Sequence, residues 1–328
     1  MSKAQRTVEM GNLICKFGKK NLLDYFSTVI HPAFFDKKAF RSHGGKKYFF
    51  DKVKIITVEG TVLLTGRFIK DIVLEREQVY TQNGGLQEDH KELPSSPSAI
   101  FVIVLSVHRV IYFKETKFAP TLENFKATLD NFFKQKHREY IDRLAQASKD
   151  SGQRITKKQL LIDHMPPSLD IIPLTSARDI ASFVKQYEVL SSVTYKFSDR
   201  NDEQDNEGFF RAVQKQKDEV GSTVTTIKHA SQKGLEKEVV INEVKAATAQ
   251  GNQQVVMTGV DSDGNTLRGD NSNFQLKATL QASGQTAGRI ARKMYQKFLQ
   301  LVEDGLIQVP NTPPEVAEKL ARYRDPKK

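Results

Sequence analysis

Ala99-Ile-Phe-Val-Ile-Val-Leu105 and Arg109-Val-Ile-Tyr-Phe113 are followed within ten residues by Thr121-Leu-Glu-Asn-Phe125. The first two runs are β-branched and aromatic, lie three residues apart and read as the strands of a hairpin. From Thr121 the period changes. Leu122, Phe125, Leu129, Phe132, Phe133, Tyr140, Ile141 and Leu144 recur mostly at spacings of three and four, which predicts a long helix, and Glu123 in its first turn suits the helix dipole. Phe125, Leu129, Phe132 and Phe133 read as core or as a dimer face. Consecutive strands followed by a helix make the fold α+β.

Working outward toward the N-terminus, residues 61–68 and 69–80 read as strands, and Glu59-Gly60 turns the chain back into a strand over 48–58. Residues 86–98 are polar, contain Pro94 and Pro97, and read as a loop. Pro32, Gly44 and Gly45 mark another loop. Residues 21–29 carry apolar side chains at helical spacing, and residues 6–17 read as a strand. Toward the C-terminus a break falls at 148–168, where Pro166-Pro167 stops a short helix. Strands are then predicted at 169–174, 189–197, 222–228, 254–260 and 274–280. Helices are predicted at 176–187 (capped by Ser176), 209–219, 234–250 and 286–302, and 199–208 reads as an acidic loop. Two domains follow, each a mostly antiparallel or mixed β-sheet covered by helices. The first spans 1–165 and is completed by the C-terminal helix at about 281–328. The second, smaller, spans 166–280 in the order βαβαββ.

A chain of 328 residues suits two domains. Fifty Lys and Arg against 39 Asp and Glu leave a net charge of +11, a surplus that points to a polyanionic partner. Cys15 is the only cysteine, which excludes an intrachain disulfide and a cysteine-based zinc site, and its apolar neighbours make it a small buried residue rather than a nucleophile. The start of the chain has no apolar signal core, and no window reaches 18 apolar residues, so a cytoplasmic protein, of a bacterium, is expected.

The last helix carries the clearest charge signal. Between Asp270 and Glu303 there is no acid, while Arg289, Lys293 and Lys297 repeat every four residues with Arg292 beside them. Ile290, Met294, Phe298 and Leu301 form the opposite, apolar stripe. That is a candidate phosphate-contacting face, with Ser283, Gly284 and Thr286 at its start where free N–H groups would meet an anion. A second basic zone, Lys37, Lys38, Arg41, Lys46 and Lys47, surrounds Gly44-Gly45. A third, Lys228, His229, Lys233 and Lys237, runs from a strand end into a helix, diluted by Glu236 and Glu238.

Catalytic and metal patterns are sparse. Glu115-Thr-Lys117 is a Glu-x-Lys of the kind seen in metal-dependent nucleases, with Asp71 or Asp89 as the required partner acid. No two of the seven histidines stand at ligand spacing. Asp261-Ser-Asp263-Gly264-Asn265 starts like a calcium loop but lacks the closing acid, so it reads as a hairpin turn. No phosphate-binding glycine loop, dinucleotide fingerprint or nucleophile elbow is present. No catalytic residue, metal, cofactor or small-molecule substrate is therefore expected.

The order of several segments resembles the RexA-like phage exclusion family of phage lambda. The resemblance is carried by Ala99-Ile-Phe-Val-Ile-Val-Leu105, Ile111-Tyr-Phe, Lys117-Phe-Ala-Pro-Thr121 before a helix, and Leu169-Asp-Ile-Ile-Pro-Leu174 before a short helix and a Val/Thr strand. The basic junction from Lys228 to Val239, the hairpin around Asp261 to Gly264 and the last helix continue it. It implies a homodimer of two-domain subunits, with the smaller domain swivel-like. It also implies binding of double-stranded DNA without strong sequence preference, and a role in phage exclusion with a membrane-protein partner from the same defence operon. Residue by residue it implies Lys228, Lys233 and Lys237 as DNA contacts. The charge pattern adds Lys46, Lys47, Arg289, Arg292, Lys293 and Lys297. The expected function is sequence-nonspecific DNA binding in abortive-infection defence. The alternatives are a nuclease-like effector using Glu115 and Lys117, or a scaffold for an acidic protein. Nothing in the sequence separates DNA from RNA.

Overall fold

In this computed structural model, residues 5–152, 155–201, 208–281 and 285–323 are described. The strands are β1 (Gln5–Phe17), β2 (Lys20–Asn21), β3 (Arg41–His43), β4 (Lys46–Val58), β5 (Thr61–Thr81), β6 (Gly85–Ser95), β7 (Ser98–Val104), β8 (Arg109–Lys114), β9 (Ser168–Pro173), β10 (Tyr187–Phe197), β11 (Thr225–Ala230), β12 (Gln254–Asp261), β13 (Thr266–Asp270) and β14 (Lys277–Gln281). The α-helices are α1 (His31–Phe35), α2 (Leu122–Asp150), α3 (Lys157–Asp163), α4 (Ala177–Val184), α5 (Phe209–Glu219), α6 (Lys237–Thr248), α7 (Ala287–Glu303) and α8 (Pro314–Ala321). They build an α+β fold with two antiparallel sheets. The large sheet has the order β14-β1-β8-β7-β5-β4-β3, with β2, β6 and β9 attached, and the small one has the order β11-β10-β12-β13.

The large sheet is covered on both faces. Phe101 and Ile103 of β7 face one way, into a core with Phe125, Leu129, Phe132 and Phe133 of α2. Ile100, Val102 and Val104 face the other way, into a core with Ile290, Met294, Tyr295, Phe298 and Leu301 of α7. The unbroken apolar run 99–105 follows from that double burial. The aromatic stripe of α2 is therefore core. A reciprocal cap starts α2: Thr121 Oγ1 accepts from the N–H of Asn124, and the Asn124 side chain accepts from the N–H of Thr121. The small sheet has a third core of its own, built around Tyr195, Phe197, Val244 and Met257 with α4, α5 and α6.

Several expectations change. Residues 166–280 do not all hang on the small sheet. β9 and β14 both pair with β1, over Gly11–Lys16 and Gln5–Glu9, because the long strand needs partners along that edge. The chain between them carries the order α4-β10-α5-β11-α6-β12-β13. The hairpin partner of β12 is β13, not the strand that follows it. The two strands expected at 61–68 and 69–80 form one strand, β5, of 21 residues. The loop expected at 86–98 is largely strand β6, whose polar sequence shows no alternation because no core lies against it. Pro32 sits in the first turn of α1, where its missing N–H costs nothing. The short C-terminal α8 was not anticipated. Of the acidic loop, residues 202–207 lie outside the described residues.

The polypeptide enters and leaves the inserted unit at one point. The Leu174 N–H donates to the Met10 carbonyl, and the Leu276 N–H donates to the Leu174 carbonyl. Buried Asn12, in the middle of β1, ties the two sheets together there. Its Nδ2 donates to the Gly251 carbonyl (3.1 Å) and to Asn252 Oδ1 (3.0 Å), and its Oδ1 accepts from buried Arg109 and from Asn201 Nδ2 (3.0 Å). Asp170 makes a second tie, accepting from Lys126 of α2 (2.6 Å) and from Gln254 of β12.

Two outcomes test this reading. Asn12→Leu removes an acceptor from a buried guanidinium and should lower unfolding free energy by about 2–4 kcal/mol in urea titrations. Cys15 is fully buried, and burial pushes its thiol pKa up. A chromogenic disulfide reagent at pH 8 should therefore leave it unreacted in the folded protein and titrate one thiol after denaturation.

Candidate nucleic-acid interface

The candidate cations fall into three groups. On α7 the apolar stripe is clamped to the large sheet, and Tyr295 Oη donates to Thr61 Oγ1 (2.8 Å). The opposite face is thereby forced outward. Arg289, Arg292 and Lys293 are exposed and Lys297 is half-buried. Lys297 donates to Gln300 Oε1 (2.8 Å). Among the described residues none of the four has an ion-pair partner. Thr286 caps the helix, its side chain accepting from the N–H of Arg289 (3.4 Å). Ser283 and Gly284 lie outside the described residues. The arrangement is costly for an isolated helix. Arg289–Lys293 and Lys293–Lys297 are like-charge pairs one turn apart, each unfavourable by about 0.2–0.5 kcal/mol. Arg289 also sits at the helix end that favours anions.

The second group is a basic ribbon. β3 and β4 pair Arg41 with Tyr48 and His43 with Lys46 across a two-residue turn, with both central residues at positive φ, Gly44 at 56° and Gly45 at 71°. Such a turn follows the twist of the strands and wants glycine. Lys46 and Lys47 are exposed, and Lys47 stands over the ring of Phe40 (5.6 Å), itself exposed. Lys70 was not singled out from the sequence. It belongs here through the β4–β5 register, opposite Tyr48. Burial, then the neighbouring Lys46 charge, hold its pKa below the ordinary lysine value. No sequence signal marks it, since the register is not legible locally.

The third group is split. Lys228 on β11 and Lys233 in the following turn are exposed, as is His229. Lys237, in the first turn of α6, donates instead to the Tyr187 carbonyl, so its charge is used to hold α6 on β10. No single element gathers the three groups.

The Glu-x-Lys pair is engaged elsewhere. Arg67 holds Glu115 with two hydrogen bonds (2.9 and 3.0 Å), Ser98 adds a third (2.7 Å), and Lys117 lies over the Phe118 ring. Asp71 accepts from Ser96, and Asp89 accepts from Arg76. Among the described residues no group of three His, Cys, Asp or Glu side chains could hold a metal ion. Asp261 Oδ1 accepts from the N–H groups of Asp263 and Asn265, closing the β12–β13 turn.

No protein-family model matches the chain, and no curated protein matches it either.

The division of labour among the lysines has a direct check. Lys237→Met should lower stability by about 1–2 kcal/mol in denaturant unfolding through the lost bond to Tyr187. Lys228→Met and Lys233→Met, both exposed, should change it by less than about 0.5 kcal/mol.

Proposed function

We propose that the protein binds double-stranded DNA through its phosphates, without reading sequence, as a homodimer acting in phage exclusion. The observation that carries the binding is α7: four cations on an outward face that no acid neutralises among the described residues, held rigidly by the buried stripe behind them. Phosphate contacts of this kind position a duplex without specifying bases. Arg289, Arg292, Lys293 and Lys297 form the main contact, and Lys228 and Lys233 are a second point of contact on the small sheet. The phage-exclusion role, the cytoplasmic setting and the membrane-protein partner are supported by the segment order that resembles the RexA-like family. Among the described residues no helix is long and apolar enough to cross a membrane.

The test is fluorescence anisotropy of a labelled duplex, a matching single strand and a matching RNA, titrated at several salt concentrations. Duplex affinity should fall steeply with salt and ignore sequence. Arg289→Glu with Lys293→Glu and Lys297→Glu should weaken binding to every duplex alike, by roughly tenfold or more, and flatten the log–log salt slope by about 3. A folded triple variant with unchanged affinity would remove α7 from the interface. Stronger binding to the single strand or the RNA would change the partner.

A further inference from the structure

Beyond Lys70 the strand β5 leaves the large sheet. Asp71 is its last residue to pair with β4, and from Ile72 to Thr81 it pairs only with β6. Among the described residues β6 pairs with no other strand. Residues 72–95 are therefore a bare two-stranded arm, an element that is marginal in water without something packed on it.

The arm's surface is unlike the rest of the molecule in two respects. Its register sets Leu74 opposite Leu93 and Tyr80 opposite Leu86. These side chains share one face and are exposed: Leu93 by 63%, Leu86 by 65% and Tyr80 by 72%. Its charge also has the opposite sign. Within residues 72–95 there are five acids against Arg76 and Lys91, a net of −3 in a chain of +11. The cationic pair is neutralised internally, since Asp89 accepts from Arg76 and stands 3.9 Å from Lys91 Nζ. The acidic pair is not. Glu75 lies directly opposite Glu92, and neither has an ion-pair partner among the described residues. Like charges directly opposed across a ribbon are destabilising.

At the root of this arm stands its electrostatic complement. Lys47 pairs with Asp71 in the sheet, so the basic β3–β4 ribbon begins where the arm departs. From Lys37 to Lys47 there are five cations and no acid, with exposed Phe40 among them. Each subunit thus carries an arm with an apolar face and, on its other face, the Glu75–Glu92 pair, beside a basic ribbon that includes exposed Phe40. A two-fold axis exchanges such neighbours: residue i of one copy meets j of the other, and j meets i. Arm on arm would oppose acid to acid, and ribbon on ribbon cation to cation. Only the crossed arrangement matches charge, and like-charge juxtaposition is what excludes wrong partners. Nucleic acid is a poor occupant of the arm, because its acids repel phosphate.

We infer that the arm of residues 72–95 is a subunit-pairing element that docks on the Arg41–Lys47 ribbon of a second copy of this chain, reciprocally, with Glu75 and Glu92 against Lys46 and Lys47. The inference deepens the homodimer part of the reading above. It assigns Lys46 and Lys47 to the partner subunit and leaves α7 for the duplex.

The experiment is sedimentation velocity on the full chain over a wide concentration range, with far-UV circular dichroism to show that each variant is folded. The wild type should sediment as a dimer. Glu75→Lys with Glu92→Lys should raise the dimer dissociation constant roughly 10–100-fold, Lys46→Glu with Lys47→Glu should do the same, and the four changes together should restore the dimer. A monomeric wild type would overturn the inference, as would a dimer indifferent to both reversals or a quadruple variant that stays dissociated. DNA affinity of the α7 triple variant is read separately. A dimer that ignores DNA would therefore sink the binding reading and leave the pairing intact, and a DNA-binding monomer would do the converse.

Discussion

The backbone N–H and C=O groups of Gln5–Phe17 point out to both sides of one strand, and each side recruits a different part of the chain. One edge of β1 pairs with β8 and so with the central hairpin; the other pairs with β14 and β9, the two ends of the inserted unit. The large sheet and the small one are thereby indexed to the same thirteen residues. Asn12 makes the index specific. A buried amide that must satisfy both a donor and an acceptor tolerates little displacement, because each lost partner costs about 1–3 kcal/mol. Its partners come from β8, from the stretch after β10 and from the turn before β12, so one side chain registers three distant segments. Gly251 (φ 69°) has no alternative there, as a Cβ would come within 2.9 Å of Asn12 and Leu174.

Segments buried by a regular core were legible in the sequence. The 99–105 run, the long helix from Thr121 and the amphipathic last helix each announce what covers them, because apolar periodicity is a direct imprint of burial. Ser176 was legible as a cap for a similar reason, since capping is settled within one turn. β6 was not. Its partner is a single strand and its surroundings are solvent, so nothing in 86–98 records the pairing. Nor could local sequence show that 169–174 and 277–281 both join β1. Strand pairing over about 150 residues or more leaves no periodic trace, only the requirement that a long edge be satisfied.

The same distinction runs through the candidate site. The α7 cations were legible because charge spacing on an amphipathic helix dictates which side faces out. Lys237 looked equivalent to Lys228 and Lys233 in the sequence, yet its ammonium reaches a carbonyl on another element, a contact that only tertiary structure defines. Glu115 is a similar case. Its strand-end position suggested chemistry, but Arg67 on the adjacent pair of strands turns it into a structural ion pair.

The surplus of +11 is not spread evenly, and the unevenness bears on how the protein would work. An acidic arm beside a basic ribbon is a self-complementary surface, and self-complementary surfaces cancel on pairing. The charge left outward after such pairing would include Arg289, Arg292, Lys293 and Lys297 of α7. There the like-charge repulsion and the cation at the helix N-terminus are small terms, together about 1–2 kcal/mol. The six side chains that α7 buries against the large sheet, at about 1.5 kcal/mol or more each for the larger ones, outweigh them several-fold. The fold can therefore hold a cationic face that has no ion-pair partner among the described residues without unfolding, and bound phosphates would relieve the unfavourable field. A polyanion gains affinity from that relief whatever its bases, which is why a rigid, acid-free helix face supports nonspecific duplex binding better than specific recognition.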